Sequence, residues 1–259
     1  MSLNELSAAQ AGDKISTGEI TSEELVQTCL ERIEQIDGGI EAWAYLDHDY
    51  ALNQARKLDI MRQDGAPIGP LHGIPVGIKD IIDTAHVPTE LGTIIHAGRI
   101  PFKDAWVINR LRQAGAVIMG KTVTTELATY TAGKTKNPHD PNRTPGGSSS
   151  GSAAAVASNM VPIALGSQTN GSIIRPASFC GVFGFKPSFG MIPRTGVLKQ
   201  SHPLDQLGVL ARTTDDVALM TQVLAGYDEL DSATTPFRAT PHILSVAAEE
   251  PPLPPKIGF

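Results

Sequence analysis

The 259-residue chain is 41% hydrophobic and 19% charged, enough apolar material to bury a sizeable core in one or two globular domains. Its formal net charge of -6, without a basic run, gives no footprint for nucleic acid, and no apolar run approaches the roughly 18 residues of a membrane span. Two cysteines, Cys29 and Cys180, are too few for a disulfide framework, so a reducing cytoplasm is the default compartment.

Residues 1–65 read as a helical arm. Thr21 with Glu24 forms a capping-box pattern, Leu25, Cys29, Ile33 and Ile36 follow at helical spacing, and Gly38-Gly39 is expected to end that helix. A second helix is expected over His48 to Gln63. Nothing in this arm carries chemistry, and its faces suit packing on a core or on a second copy, so a homodimer is a reasonable expectation.

From residue 66 to the end the pattern becomes that of an α/β core. Leu71 to Asp80 reads as a short apolar strand broken by glycine and proline, with Lys79 at its end. A strand-end lysine is ordinarily a surface charge; buried, it loses its proton readily and can act as a base. A helix is expected over Asp104 to Gln113, then a strand over Ala116 to Met119. Gly115 to Thr122 also fits the phosphate-loop pattern G-x-x-x-x-G-K-T, but a helix precedes the first glycine and a buried strand fills the interval, the reverse of what that loop requires.

Residues 131–147 form a long polar, proline-rich loop, a length that usually has a function. It leads into Gly146-Gly147-Ser148-Ser149-Ser150-Gly151-Ser152, an alanine-rich helix, an apolar run from Val161 to Leu165, and a second glycine-rich turn, Gly166-Ser167-Gln168-Thr169-Asn170-Gly171-Ser172. A loop ending at a helix N-terminus points free N–H groups outward and can hold developing negative charge. Two such loops, each with a hydroxyl, suggest acyl transfer. Gly147 to Gly151 also matches the nucleophile-elbow pattern with Ser149 as nucleophile, but that elbow needs a strand directly before it. Residues 173–181 read as a short helix, Val182 to Phe185 as a buried strand, and Thr213 or Thr214 as the cap of a helix running to Ala225. A proline-rich run from Glu249 to Pro255 resembles a linker, and Lys256 to Phe259 resembles the opening of a strand, so the chain is expected to stop in mid-domain.

The strings TPGGSSSGSAAAVA, ALGSQTNGSIIRPASFCG and GFKPSFG, with Gly77-Ile78-Lys79-Asp80 upstream, resemble the amidase signature family of serine hydrolases. The resemblance implies a mixed twisted sheet covered by helices on both faces, incomplete here because family members are much longer. It implies cleavage of a carboxylic amide C–N bond in a small-molecule substrate, through an acyl-enzyme and without a cofactor or metal. The nucleophile falls on Ser172, the bridging serine on Ser148, which in this family follows a cis peptide bond, and the base on Lys79. The oxyanion hole falls on the backbone N–H groups of Thr169, Asn170, Gly171 and Ser172. His139 and His202 are the alternatives for a histidine triad.

Arg175 sits three residues after Ser172 where many members have the arginine two after it; it is expected to meet a substrate carboxylate or to pair with Asp80 or Asp83. Gln168 stands where several relatives have Asp, and Gln168 and Ser149 are further candidates for substrate contact. The Gln-Thr-Asn-Gly-Ser-Ile-Ile-Arg-Pro form looks closer to free-standing small-amide hydrolases. The alternative is an amidotransferase-like or inactive subunit that needs a partner or a further C-terminal part.

Overall fold

The computed structural model describes residues 2–236, 242–250 and 254. Six strands form one mixed sheet: β1 (Trp43–Leu46), β2 (Pro75–Lys79), β3 (Val117–Thr122), β4 (Ile163–Gln168), β5 (Phe183–Phe185) and β6 (Gln206–Ala211), in the order β1-β3-β2-β4-β6-β5. The central pairs β2–β3 and β2–β4 are parallel, and the outer pairs are antiparallel. The helices are α1 (Ala8–Thr17), α2 (Ser22–Ile40), α3 (His48–Gln63), α4 (Trp106–Gln113), α5 (Ser150–Ala157), α6 (Ile174–Cys180), α7 (Thr214–Leu224) and α8 (Ile243–Ala248). Among the described residues, no helix is long and apolar enough to cross a membrane.

The arm and the sheet share one core: Ile15, Leu25, Cys29 and Leu30 are buried in the same cluster as Ile78, Ile118 and Leu165. Thr21 and Glu24 close the expected capping box on α2. That helix runs through Gly38 and Gly39 instead of ending there; added side chains at either would meet nothing, so both sit harmlessly in the last turn. The turn-off falls at left-handed Glu41, where Asp37 receives the Glu41 N–H on its carbonyl (2.7 Å) and the Ala42 N–H on its carboxylate (2.7 Å).

Several boundaries differ from expectation for local reasons. Helix α4 starts at Trp106 because the Asp104 carboxylate is committed to the Ala85 N–H (2.7 Å) and to Arg112 (2.9 Å). Strand β3 continues through Gly120 and Lys121 to Thr122, so the last six residues of the phosphate-loop string are a fully buried strand. Strand β4 likewise takes in Gly166, Ser167 and Gln168, because Gly166 faces Gly208 of β6; the turn begins at Thr169. Strand β5 is an exposed sheet edge rather than a buried strand, with Phe183 and Phe185 half-exposed. Strands β1 and β6 and helix α8 are additions. The end of the chain expected as a linker and strand lies almost wholly outside the described residues.

The order β3-β2-β4 means that the chain leaves β2 towards one side and returns on the other. In open sheets of this kind, ligands bind beyond the carboxyl ends of the strands at that reversal. Lys79 ends β2, and Thr169 follows the end of β4.

Helix α5 is made of small residues because it lies hard against the sheet. An added Cβ at Gly151 would stand 2.2 Å from the Ala42 carbonyl oxygen and 2.4 Å from Val123 N, backbone atoms that cannot move aside. Gly151→Ala is therefore expected to cost about 1–3 kcal/mol, read as a lowered Tm, and to slow labelling of Ser172 by displacing the loop ahead of α5.

Candidate functional site

Three loops converge at the β2/β4 reversal. The polar loop is tied down by Asn137 Nδ2, which donates to the carbonyls of Phe179 (2.9 Å) and Thr144 (3.2 Å), and by Thr135 Oγ1 on the Glu41 carbonyl (2.8 Å). It delivers Gly147 and Ser148, joined by a cis peptide bond. Ser148 is held by donation of the Thr125 N–H to its carbonyl (3.1 Å), and the Ser149 N–H donates to the Ser172 carbonyl (3.2 Å), which joins the two serine-bearing turns.

Lys79 is fully buried, and its Nζ donates to Ser148 Oγ (2.7 Å) and Ser167 Oγ (2.8 Å). Burial pulls its pKa down to about 7, opposed by the negative charge of Asp205. The amine therefore changes charge near neutrality, as a general base must. Ser172 is buried at 8% exposure and lies on the wall of a cavity of about 300 Å³, along with Thr129, Tyr130, Thr169, Asn170, Arg175 and Gln200. Among the described residues, the N–H groups of Asn170, Gly171 and Ser172 meet no protein acceptor. The same wall includes Ala128, which with Leu127 before it lies in the left-handed region (φ 56° and 48°), uncommon for residues that bear side chains.

The remaining candidates are placed as follows. Ser149 Oγ contacts Ser167, donating to its carbonyl (3.3 Å) and receiving its N–H (3.3 Å), so it staples loop to strand and is fully buried. Gln168 Oε1 accepts the N–H groups of Ile173 (2.9 Å) and Ile174 (3.1 Å), pinning the turn that carries Ser172 to the start of α6. Arg175 is exposed, donates to the Gly147 carbonyl (3.3 Å) and packs so close to Gly171 that an added Cβ there would meet its guanidinium at 2.6 Å. It pairs with neither Asp80 nor Asp83. Arg99 takes Asp83 in a two-pronged pair (2.7 and 2.9 Å), and Asp80 faces buried Lys121 at 4.0 Å.

The histidines are engaged elsewhere: the His139 ring with the Cys180 carbonyl (2.8 Å) and the His202 ring with Ser232 (3.3 Å). Burial pushes Cys29 and Cys180 up to about 12, which leaves them protonated thiols. Lys121, the lysine of the phosphate-loop string, donates to the Ile82 carbonyl, Thr89 Oγ1 (2.9 Å) and Thr84 Oγ1 (3.3 Å), away from solvent. Ser167 is the residue that motif reading passed over. Its signal was present: it is the serine of the second turn five residues before Ser172, and strand geometry carries it to Lys79.

The family model for Amidase matches residues 24–259. The A subunit of the glutamyl-tRNA(Gln) amidotransferase of Chloroflexus aurantiacus is 44% identical over 241 residues, covering 91% of this chain and 50% of the relative. Among solved structures, the peptide amidase of Stenotrophomonas maltophilia superposes with a TM-score of 0.89 at 38% identity, covering 93% of this chain and 52% of that one. A bacterial aryl acylamidase of the amidase signature family gives a TM-score of 0.83 at 29% identity, covering 91% of this chain and 50% of its own. The chain thus spans about half the length of the relatives it matches. With the motif set, the sheet and the family match in agreement, the chain belongs to the amidase signature family.

Proposed function

We propose that the chain carries the catalytic half of an amide hydrolase that works through an acyl-enzyme on Ser172, with Ser148 as proton bridge and Lys79 as base. The observation that supports this most directly is a fully buried lysine 2.7 Å from the hydroxyl of Ser148, on a loop bonded to the Ser172 turn. A neutral amine has two N–H groups and one lone pair. Donation to Ser167 leaves the lone pair free to accept the Ser148 proton. Ser148 in turn takes the proton of Ser172 as its oxygen adds to the amide carbonyl. The oxyanion faces the N–H groups of residues 169–172, and dipoles already in place lose little reorganisation energy there. Collapse breaks the C–N bond, the amine leaves with the proton returned through Ser148, and water repeats the sequence on the ester.

Arg175, exposed on the cavity wall that holds Ser172, favours an acyl group that carries a carboxylate. Arg175→Ala is expected to lower kcat/KM for such an amide roughly 10- to 100-fold and to leave a neutral amide unchanged. Equal losses on both would remove the carboxylate preference. Ammonia release from small linear amides by the isolated chain tests the hydrolase reading.

A second reading is a component that delivers ammonia within an assembly. Its support is the name of the curated relatives, which are A subunits of a glutamyl-tRNA(Gln) amidotransferase. Turnover by the isolated chain argues against that dependence; turnover only on addition of a partner protein argues for it.

A further inference from the structure

The oxyanion turn is gripped from outside the proposed triad. Gln168 and Gln206 face each other across β4 and β6, so Thr169 and Asp205 are the next residues outward on the same antiparallel pair. There Thr169 Oγ1 lies 2.6 Å from Asp205 Oδ1 and 3.1 Å from Gln200 Oε1. With one proton to give, the hydroxyl donates to the nearer, charged oxygen. The other oxygen of Asp205 accepts the N–H groups of Gln200 (2.7 Å) and Ser201 (2.8 Å). Its backbone carbonyl is held by Arg194 Nη1 (3.0 Å), and buried Arg194 is clamped by Asp231 at 2.8 and 3.0 Å. The carboxylate is therefore a fixed acceptor rather than a mobile surface charge.

Asp205 also lines a cavity with Ser167 and Thr169, and its charge acts on Lys79. Lys79 contacts Ser148 ahead of α5 and Ser167 of β4, and Ser167 shares the wall of that cavity with Asp205 ahead of β6. Arg194 and Lys199 line that same cavity as the remaining charges. Asp80, the residue after β2, and Lys121 of β3 face each other.

We propose that Asp205 is a positioning residue for the Ser172 reaction: it orients the Thr169 end of the oxyanion turn through the threonine hydroxyl and sets a negative charge facing the Lys79 amine. The proposal rests on the amidase reading above. Asp205→Asn keeps size and one oxygen but removes the charge, whereas Thr169→Val removes the hydroxyl link and keeps the charge. The measurement is the rate of fluorophosphonate labelling of Ser172 against pH. Asp205→Asn is expected to lower the plateau about tenfold and to move the acid limb to lower pH, because protonated Lys79 loses a favourable charge. Thr169→Val is expected to lower the plateau and leave the limb in place. An Asp205→Asn protein with wild-type rate and limb overturns the proposal, as does a loss of rate that tracks a lowered Tm with the limb unmoved. Titration of Lys79 by its ¹³Cε shift separates the two readings. A wild-type chain whose Ser172 does not label sinks the amidase reading, whereas a Lys79 titration unmoved by Asp205→Asn sinks the role given to Asp205.

Discussion

Ser172→Ala is expected to abolish covalent labelling by a fluorophosphonate and to lower amide turnover by roughly 10⁴-fold or more. The argument is one of bond-making: with the hydroxyl gone there is no oxygen to take the acyl group, while the N–H donors of the turn remain. The fold should be untouched, since Ser172 contributes its carbonyl to Ser149 and alanine keeps that carbonyl. Intact mass and peptide mapping read the result. An unlabelled variant with an unchanged Tm places the chemistry on Ser172. An adduct that persists on Ser149 would return the nucleophile to the first serine turn, against the burial of that side chain and its bonds to Ser167.

Lys79→Met is expected to lower the acylation rate about 10³-fold. Methionine fills the volume but takes no proton. In the wild type the rate should rise through pH 7 and level off above it, because burial holds Lys79 at about 7 and only the neutral amine accepts a proton. Stability responds over a higher range of pH. The group titrates at about 7 when folded against an ordinary value of 10.5, so between those values the unfolded chain holds the extra proton and wild-type stability rises with pH. Below pH 7 both states are protonated and the burial cost is present in full. The wild type should therefore gain in Tm relative to Lys79→Met as pH climbs from 7 towards 10. Near-wild-type activity in the variant, or a Tm difference flat across that range, would sink the assignment of Lys79 as a buried base.

How much of this was legible in the sequence depends on the range over which each signal acts. The capping box at Thr21 and Glu24 is local and could be read directly. Lys79, Ser148 and Ser172 stand in the strings that carry the family resemblance, and the roles proposed for them follow from that resemblance. Ser167 and Asp205 carry no such mark: one looks like turn filler, the other like an ordinary loop acid. Only the register of β4 on β6 brings Asp205 beside Thr169. Strand β6 is hidden differently: Pro203 and Asp205 before it and Thr213 to Asp216 after it punctuate a six-residue run, but Gly208 in its middle interrupts the strand pattern. The exposed edge strand β5 misleads for the reverse reason, since Val-Phe-Gly-Phe is apolar enough to be read as core while the sheet order leaves it at the rim.

The reversal of the chain at β2 has a consequence for how such a protein can change. On the proposed scheme, base, bridge and nucleophile are anchored to two neighbouring central strands and the helix packed over them. Part of the cavity wall is borrowed from segments that leave that framework: 128–130, which includes Ala128 in its uncommon backbone conformation, and the approach to β6 around Gln200. On that scheme the bond-breaking groups and Arg175 sit on the framework, while the rest of the wall that meets the acyl group is mounted apart from it. Replacement of residues 128–130 should redraw the list of accepted amides while the pH dependence of acylation, set at the strand ends, stays where it is. A lineage built on this framework can drift in diet without relearning how to break the bond.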